Sequence, residues 1–246
     1  MKFRIFLITG LTALIAAAPL AALTGEEIIQ RMQDNLVYST ARIDGTMTIN
    51  DRFGEKTSSF ISYSKGDTDM LLEFTSVEEK GQKVLRTGDE LYLYYPDATE
   101  VIRLQGSALR DSLLGSDFSY EDMTGDRSFL ETYQVALDGT EDIEGHACYR
   151  ITLTARTRDV PYPKETVWVD KELFIYRKVE KYAMSGRLLK VMMLTDFVKR
   201  NGRVIPTGML MKDVLKRNSS TEFRVNSIQI GLALPKDIFS LGELTW

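Results

Sequence analysis

Arg42-Ile43-Asp44-Gly45-Thr46-Met47-Thr48-Ile49-Asn50 sets Ile43, Gly45, Met47 and Ile49 against Asp44, Thr46, Thr48 and Asn50 at alternate positions. Successive side chains of an extended chain point to opposite faces, so this stretch reads as a strand with one buried and one wet face. The same period continues downstream in Ser58–Lys65, Asp69–Thr75, Gln82–Thr87, Glu90–Tyr95 and Glu100–Leu104. Short polar turns such as Gly88-Asp89 separate these runs, which predicts an antiparallel meander of about six hairpin-linked strands.

Upstream, the period is that of a helix. From Thr24 to Tyr38, Ile28, Ile29, Met32, Leu36 and Val37 fall on one face, and Thr24 with Glu27 has the spacing of a capping box. Downstream of the meander, alternation stops between Gly106 and Gln134. Ser107–Leu114, Ser119–Met123 and Arg127–Thr132 read as short helices in a stretch rich in Ser, Asp and Gly. Strands resume at Val135–Glu141, His146–Ala155, Lys164–Asp170, Ile175–Tyr182, Leu188–Val198, Arg203–Leu215 and Ser220–Ile230. No Pro/Gly linker or composition break divides the chain, so residues 23–246 form one domain. So many antiparallel strands must close, sandwich or wrap around something to bury their apolar face, and the helices are the available filling. The expected fold is α+β, a curved antiparallel half-barrel of about 11–12 strands wrapped around a helical plug or lid.

Residues 1–22 differ from the rest. Lys2 and Arg4 precede an apolar run from Ile5 to Ala18, and small residues follow at Ala21-Ala22. That is a secretory signal pattern, short for the roughly 20 residues of a membrane span, with an uncleaved anchor as the alternative. Cleavage is expected near Ala22, and no Cys stands there to be lipidated. Removing Lys2 and Arg4 takes Lys+Arg from 31 to 29 against 35 Asp+Glu, so the formal charge moves from −4 to −6. That balance argues against nucleic acid and against tight binding to anionic membranes. One Cys in the whole chain excludes an internal disulfide.

Catalytic motifs are scarce. His146 and Cys148 suggest a nucleophile pair, but a turn leading into a strand with no third orienting group explains them more simply. One His and one Cys are poor material for a metal site. The carboxylate pairs Glu78-Glu79, Asp89-Glu90, Glu121-Asp122 and Glu141-Asp142 all fall at turns or in the polar insert, where a solvated surface is expected. No P-loop, dinucleotide fingerprint or Gly-x-Ser-x-Gly elbow occurs. The chain reads as a non-enzyme needing no cofactor, with an envelope enzyme acting on lipid or glycan, or a purely structural protein, as rivals.

Several segments in order carry a family resemblance. They are the amphipathic helix after the leader, the meander ending Leu91-Tyr92-Leu93-Tyr94-Tyr95-Pro96, the insert from Leu109 to Met123, the strand Thr166-Val167-Trp168-Val169-Asp170, and the closing Leu234-Pro235-Lys236-Asp237-Ile238-Phe239-Ser240-Leu241. Together these resemble the LolA-like outer-membrane lipoprotein-sorting family over nearly all of the mature chain. The resemblance implies a half-open barrel with a helical lid and a hydrophobic cavity between them. It implies a periplasmic monomer that takes acylated lipoproteins or lipids from an inner-membrane transporter of the ABC or RND type to an outer-membrane acceptor. The alternative is a periplasmic lipid- or hydrophobe-binding partner of an inner-membrane exporter. The insert Ser107–Met123 departs from the best-studied carriers, and no arginine here is assigned their ligand-gripping role.

Met is flexible and polarizable and suits surfaces that accept variable apolar shapes. Met47, Met70, Met192, Met193, Met209 and Met211 lie in strands, and with Ile43, Ile49, Leu72, Phe74, Leu91 and Leu93 they are the candidate lining of an acyl cavity. Each by itself also reads as ordinary sheet core. Ile28, Met32, Leu36, Leu113 and Phe118 are the candidate lid residues. Arg110, Arg127, Lys80 and Lys83 are the cations considered for head groups at a cavity mouth, with a solvated position as the simpler reading of each.

Overall fold

The computed structural model describes residues 22–123, 129–158, 160–200 and 202–245. The leader up to Ala21, the Arg127 end of the third short helix and the Asn201 half of the Asn201-Gly202 turn lie outside them.

Helix α1 (Gly25–Leu36) begins at the anticipated capping box: the Glu27 amide donates to Thr24 Oγ1 at 3.2 Å and the Thr24 amide to Glu27 Oε2 at 2.8 Å. It ends before the anticipated Tyr38. Arg203, far along the chain, donates to the carbonyls of Asp34 (2.7 Å) and Val37 (3.2 Å). A helix terminus leaves its last carbonyls without intrahelical partners, and this guanidinium caps them as the chain turns into the sheet.

Among the described residues thirteen strands follow: β1 (Tyr38–Asp51), β2 (Gly54–Gly66), β3 (Asp69–Phe74), β4 (Lys83–Thr87), β5 (Glu90–Tyr95), β6 (Glu100–Leu104), β7 (Tyr133–Ile143), β8 (His146–Ala155), β9 (Lys164–Asp170), β10 (Tyr176–Tyr182), β11 (Leu188–Arg200), β12 (Arg203–Asp213) and β13 (Ser220–Ile230). The count exceeds the expected 11–12. All pair antiparallel in one sheet, in the order β6-β5-β4-β3-β2-β1-β13-β12-β11-β10-β9-β8-β7. Two meanders are thus joined through β1 and β13, and among the described residues β6 and β7 are the edge strands. It is an open, curved half-barrel. Register shifts at Asp44/Gly45, Leu137/Gly139 and Leu194/Asp196 mark irregularities of the kind that add local twist and bend. Gly45 is required by close approach: a Cβ there would lie 2.5 Å from Phe60 Cζ and 2.7 Å from the Arg224 carbonyl.

Both faces of β3–β5 are covered. In register, Leu72, Val84 and Leu93 lie on one face and Leu71, Leu85 and Tyr92 on the other. The first set joins the inner core, while the second packs under Leu234, Ile238, Phe239 and Leu244 of the C-terminal segment. The closing Leu-Pro-x-x-x-Phe stretch therefore seals the outer face. Lys83, considered above as a solvated or head-group cation, is buried beneath it and donates to the Glu243 carbonyl at 2.9 Å.

The insert 106–123 is not the helix expected over Ser107–Leu114. It forms 3-10 turns at Gly106–Arg110 and Leu113–Gly115, then one turn of α2 (Tyr120–Met123). Its middle doubles back, with the Leu113 amide on the Phe118 carbonyl and the Tyr120 amide on Asp111. Ser and Gly at 106, 107, 112, 115 and 116 favour such local side-chain and turn bonding over a continuous helix. One turn of α3 (Phe129–Thr132) precedes β7. Among the described residues no helix is long and apolar enough to cross a membrane.

Candidate functional site

The concave face of the sheet is filled by two pieces of the chain itself. Over β7–β12, Ile28, Ile29 and Met32 of α1 pack with Tyr133, Ile151, Leu153, Val167, Val169, Val179 and Leu194. Over β1–β5, Leu113 and Tyr120 of the insert pack with Met47, Ile49, Phe60, Leu72, Phe74, Val84, Leu91 and Leu93. Phe118 bridges toward the middle, edge-on to Phe223 of β13 with centroids 4.7 Å apart, and Phe223 meets Phe60 at 5.5 Å.

The cavity candidates are sorted by these two compartments. Ile43, Met47, Ile49, Leu72, Phe74, Leu91 and Leu93 gather under the insert, whereas Met192 and Met209 border the α1 compartment. Met211 is buried and pairs with Met192. Met193 pairs with Leu210 one position out of phase, so it lies on the opposite face from Met192 and lines neither compartment. Met70 is half-buried beyond the packed cluster. Of the lid candidates, Ile28 and Met32 are fully buried with Leu36 at the margin of the α1 compartment, and Leu113 is 1% exposed. A pocket lined by Phe74, Val84, Leu93, Leu113, Leu114 and Tyr120 has a free volume of ≈ 10 Å³, about enough for one water. At this place the insert packs directly on the apolar side chains of β3–β5.

A polar seam holds the insert down. Asp117, 1% exposed, accepts from Ser219 Oγ at 2.8 Å and Thr221 Oγ1 at 3.1 Å, and its own amide donates to Thr221 Oγ1 at 2.8 Å. Lys216 donates to Ser112 Oγ (3.0 Å) and to the carbonyls of Gly115 (3.2 Å) and Ser116 (2.5 Å). Asp122 of α2 meets Lys181 Nζ at 3.1 Å, Lys190 Nζ at 2.5 Å and Tyr162 OH at 2.9 Å. Burial opposes its ionisation, but the two ammonium groups outweigh that and hold the carboxyl far below its ordinary value. Alternation along a strand does not reveal these contacts, which join residues 40 to 104 positions apart.

Two carboxylates expected at the surface are thus withdrawn from solvent: Asp122, whose side chain is 2% exposed, and Glu79, which lies 2.5 Å from Lys56. Arg110 remains exposed beside Glu121 at 3.2 Å, and Arg127 lies outside the described residues. Cys148 is buried and directs its thiol to the His146 carbonyl at 3.3 Å. Burial, then the nearby Asp170 carboxylate, pushes the thiol up to about 11, so it is protonated at neutral pH and is no thiolate nucleophile. Asp170 instead builds the β9–β10 turn, accepting from the amides of Glu172 and Leu173 and from Arg177 Nε at 2.9 Å.

An open antiparallel half-barrel filled by its own helix and insert is a LolA-like fold. Its solved relatives include a DUF1329 family protein from Desulfovibrio piger (24% identity, TM-score 0.83, covering 89% of this chain and 97% of that one). A putative outer membrane lipoprotein-sorting protein domain from Vibrio parahaemolyticus matches at 21% identity and TM-score 0.82, over 90% of this chain and 98% of that one. A LolA superfamily protein from Nitrosomonas europaea matches at 25% identity and TM-score 0.75, over 90% and 100%. No curated protein matches the chain. A family model described as "Uncharacterized protein" matches residues 66–246, and the chain belongs to that family.

Proposed function

We propose that this protein is a periplasmic, non-catalytic carrier that shelters acyl chains of lipoproteins or lipids on the concave face of its sheet. The observation that carries this reading is the kind of cover that face has. Met47, Leu72, Phe74, Leu91 and Leu93 are buried by a short Ser/Gly-rich insert fastened largely through polar side chains, and not by a second sheet. Such a cover can leave without unfolding the ladder beneath it. A ligand chain then replaces apolar contact with apolar contact, retaining roughly 0.8 kcal/mol per buried CH₂. Transfer between donor and acceptor need not be strongly downhill, and direction comes from an inner-membrane donor and an outer-membrane acceptor. The names of the Vibrio and Nitrosomonas relatives agree with this reading.

The test is to express the chain with its leader in a diderm host, purify the exported form gently and identify what accompanies it by mass spectrometry. Acylated lipoproteins are expected. Phospholipid alone would move the assignment to a hydrophobe-binding partner of an exporter, and protein that neither retains nor takes up lipid would refute the carrier role.

A further inference from the structure

The Asp122 contact has the chemistry of an occupied anion site. Two ammonium groups, Lys181 from β10 and Lys190 from β11, converge with the Tyr162 hydroxyl on one carboxylate that is only 2% exposed. Ser119 of the insert completes the set from its amide and hydroxyl, each 2.9 Å from Asp122 Oδ2. Lys181 also stacks on the Tyr162 ring at 4.4 Å and lies 3.9 Å from Glu165. The ammonium groups and the phenol belong to the sheet and the β8–β9 connection, while the carboxylate belongs to the insert.

The surroundings favour anions from outside. The β8–β9, β10–β11 and β12–β13 connections are neighbours at this end of the sheet. They carry Arg156, Arg158, Arg187 and Arg217 with Asp159 as their one acidic residue, in a chain of net negative charge, while Lys216 of the same connections is engaged with the insert. Met184, Val214 and Leu215 are exposed on the same turns. Clustered cations raise the local concentration of anions, and apolar tips beside them suit an amphiphile.

We propose that Lys181, Lys190 and Tyr162 form a subsite for the anionic head, phosphate or carboxylate, of the carried amphiphile, and that Asp122 occupies it when no cargo is bound. This deepens the carrier reading and rests on it. A ligand shifts an equilibrium only through its different affinity for the two states. An anionic head satisfies the donors that Asp122 vacates, so it stabilises the open insert; an uncharged head leaves that loss uncompensated.

The test compares short-chain phosphatidic acid with diacylglycerol of the same chains, and inorganic phosphate as competitor, on the full mature protein. Wild type is expected to bind phosphatidic acid at least about tenfold more tightly, as for charge-assisted hydrogen bonds. Asp122→Asn, which weakens the internal competitor, should tighten phosphatidic acid. Lys181→Met with Lys190→Met should erase the preference while diacylglycerol binding persists, and Lys190→Arg should retain it. Competition by phosphate would support a site open to free anions, and phosphatidic acid preference without such competition would support a site for lipid heads alone. Equal binding of both lipids by wild type and by the double variant overturns the subsite and spares the carrier. Binding of neither lipid by wild type overturns both.

Discussion

Replacing Leu113 by Ala tests whether the insert opens as a unit. The side chain is 1% exposed in the insert and packs in the cluster that holds Leu72, Phe74 and Val84. A Leu→Ala change at a packed site costs about 2–5 kcal/mol. The open state does not make this contact, so the whole loss falls on the closed state. Opening then becomes roughly 30- to 4,000-fold more favourable, since about 1.4 kcal/mol is a factor of ten. For a ligand that binds the open form, apparent affinity tightens in proportion to the open fraction until that form predominates. The assay is a titration with a neutral, environment-sensitive dye, paired with a thermal melt. Tighter dye binding with a lowered midpoint is expected. In the wild type, the amides of Leu113, Ser116 and Tyr120, whose acceptors lie within the insert, should exchange before those of β8 and β9. A lowered midpoint with unchanged or weaker dye binding would refute the reasoning, because the insert would then be integral core.

Met209→Glu places a charge at the border of the α1 compartment; lipid uptake should fall at least about tenfold while export is unaffected, given the cost of burying an unpaired charge, and normal uptake would remove this position from the site. Acid should destabilise the protein: the Asp122 and Asp170 carboxyls ionise more readily folded than unfolded, their partners outweighing the opposing effect of burial. Their contribution is present above the unfolded carboxylate value of about 3.9 and is lost as pH falls towards the folded values, so the melting midpoint should drop between pH 5 and 3, and less steeply in Asp170→Asn. Gly45→Ala should cost about 1–3 kcal/mol by overpacking against Phe60, and Phe60→Leu in the same chain should recover part of it by giving the new Cβ room, as denaturant titration would show.

Local order was legible in the sequence wherever a local cause sufficed. The strands β5, β6, β8, β9 and β13 have the bounds that alternation and turn residues set, and α1 starts where Thr24 and Glu27 close their box. These depend on side chains a few positions apart. The filling of an open sheet by its own helical segments followed from counting: so many half-apolar strands need a cover.

The rest was decided by partners distant in the chain. α1 stops at Leu36 because Arg203 takes its carbonyls, and the Asp122 side chain is withdrawn from solvent because Lys181 and Lys190 meet it there. Alternation implies one wet face for β3–β5, yet the C-terminal segment covers it. Likewise the strand methionines form one class by composition, while pairing register sends Met192 and Met193 to opposite faces. Sequence periodicity states which residues share a face; only the packed sheet determines what that face meets, because the partners of a buried charge and the cover of an apolar surface are supplied by other parts of the chain.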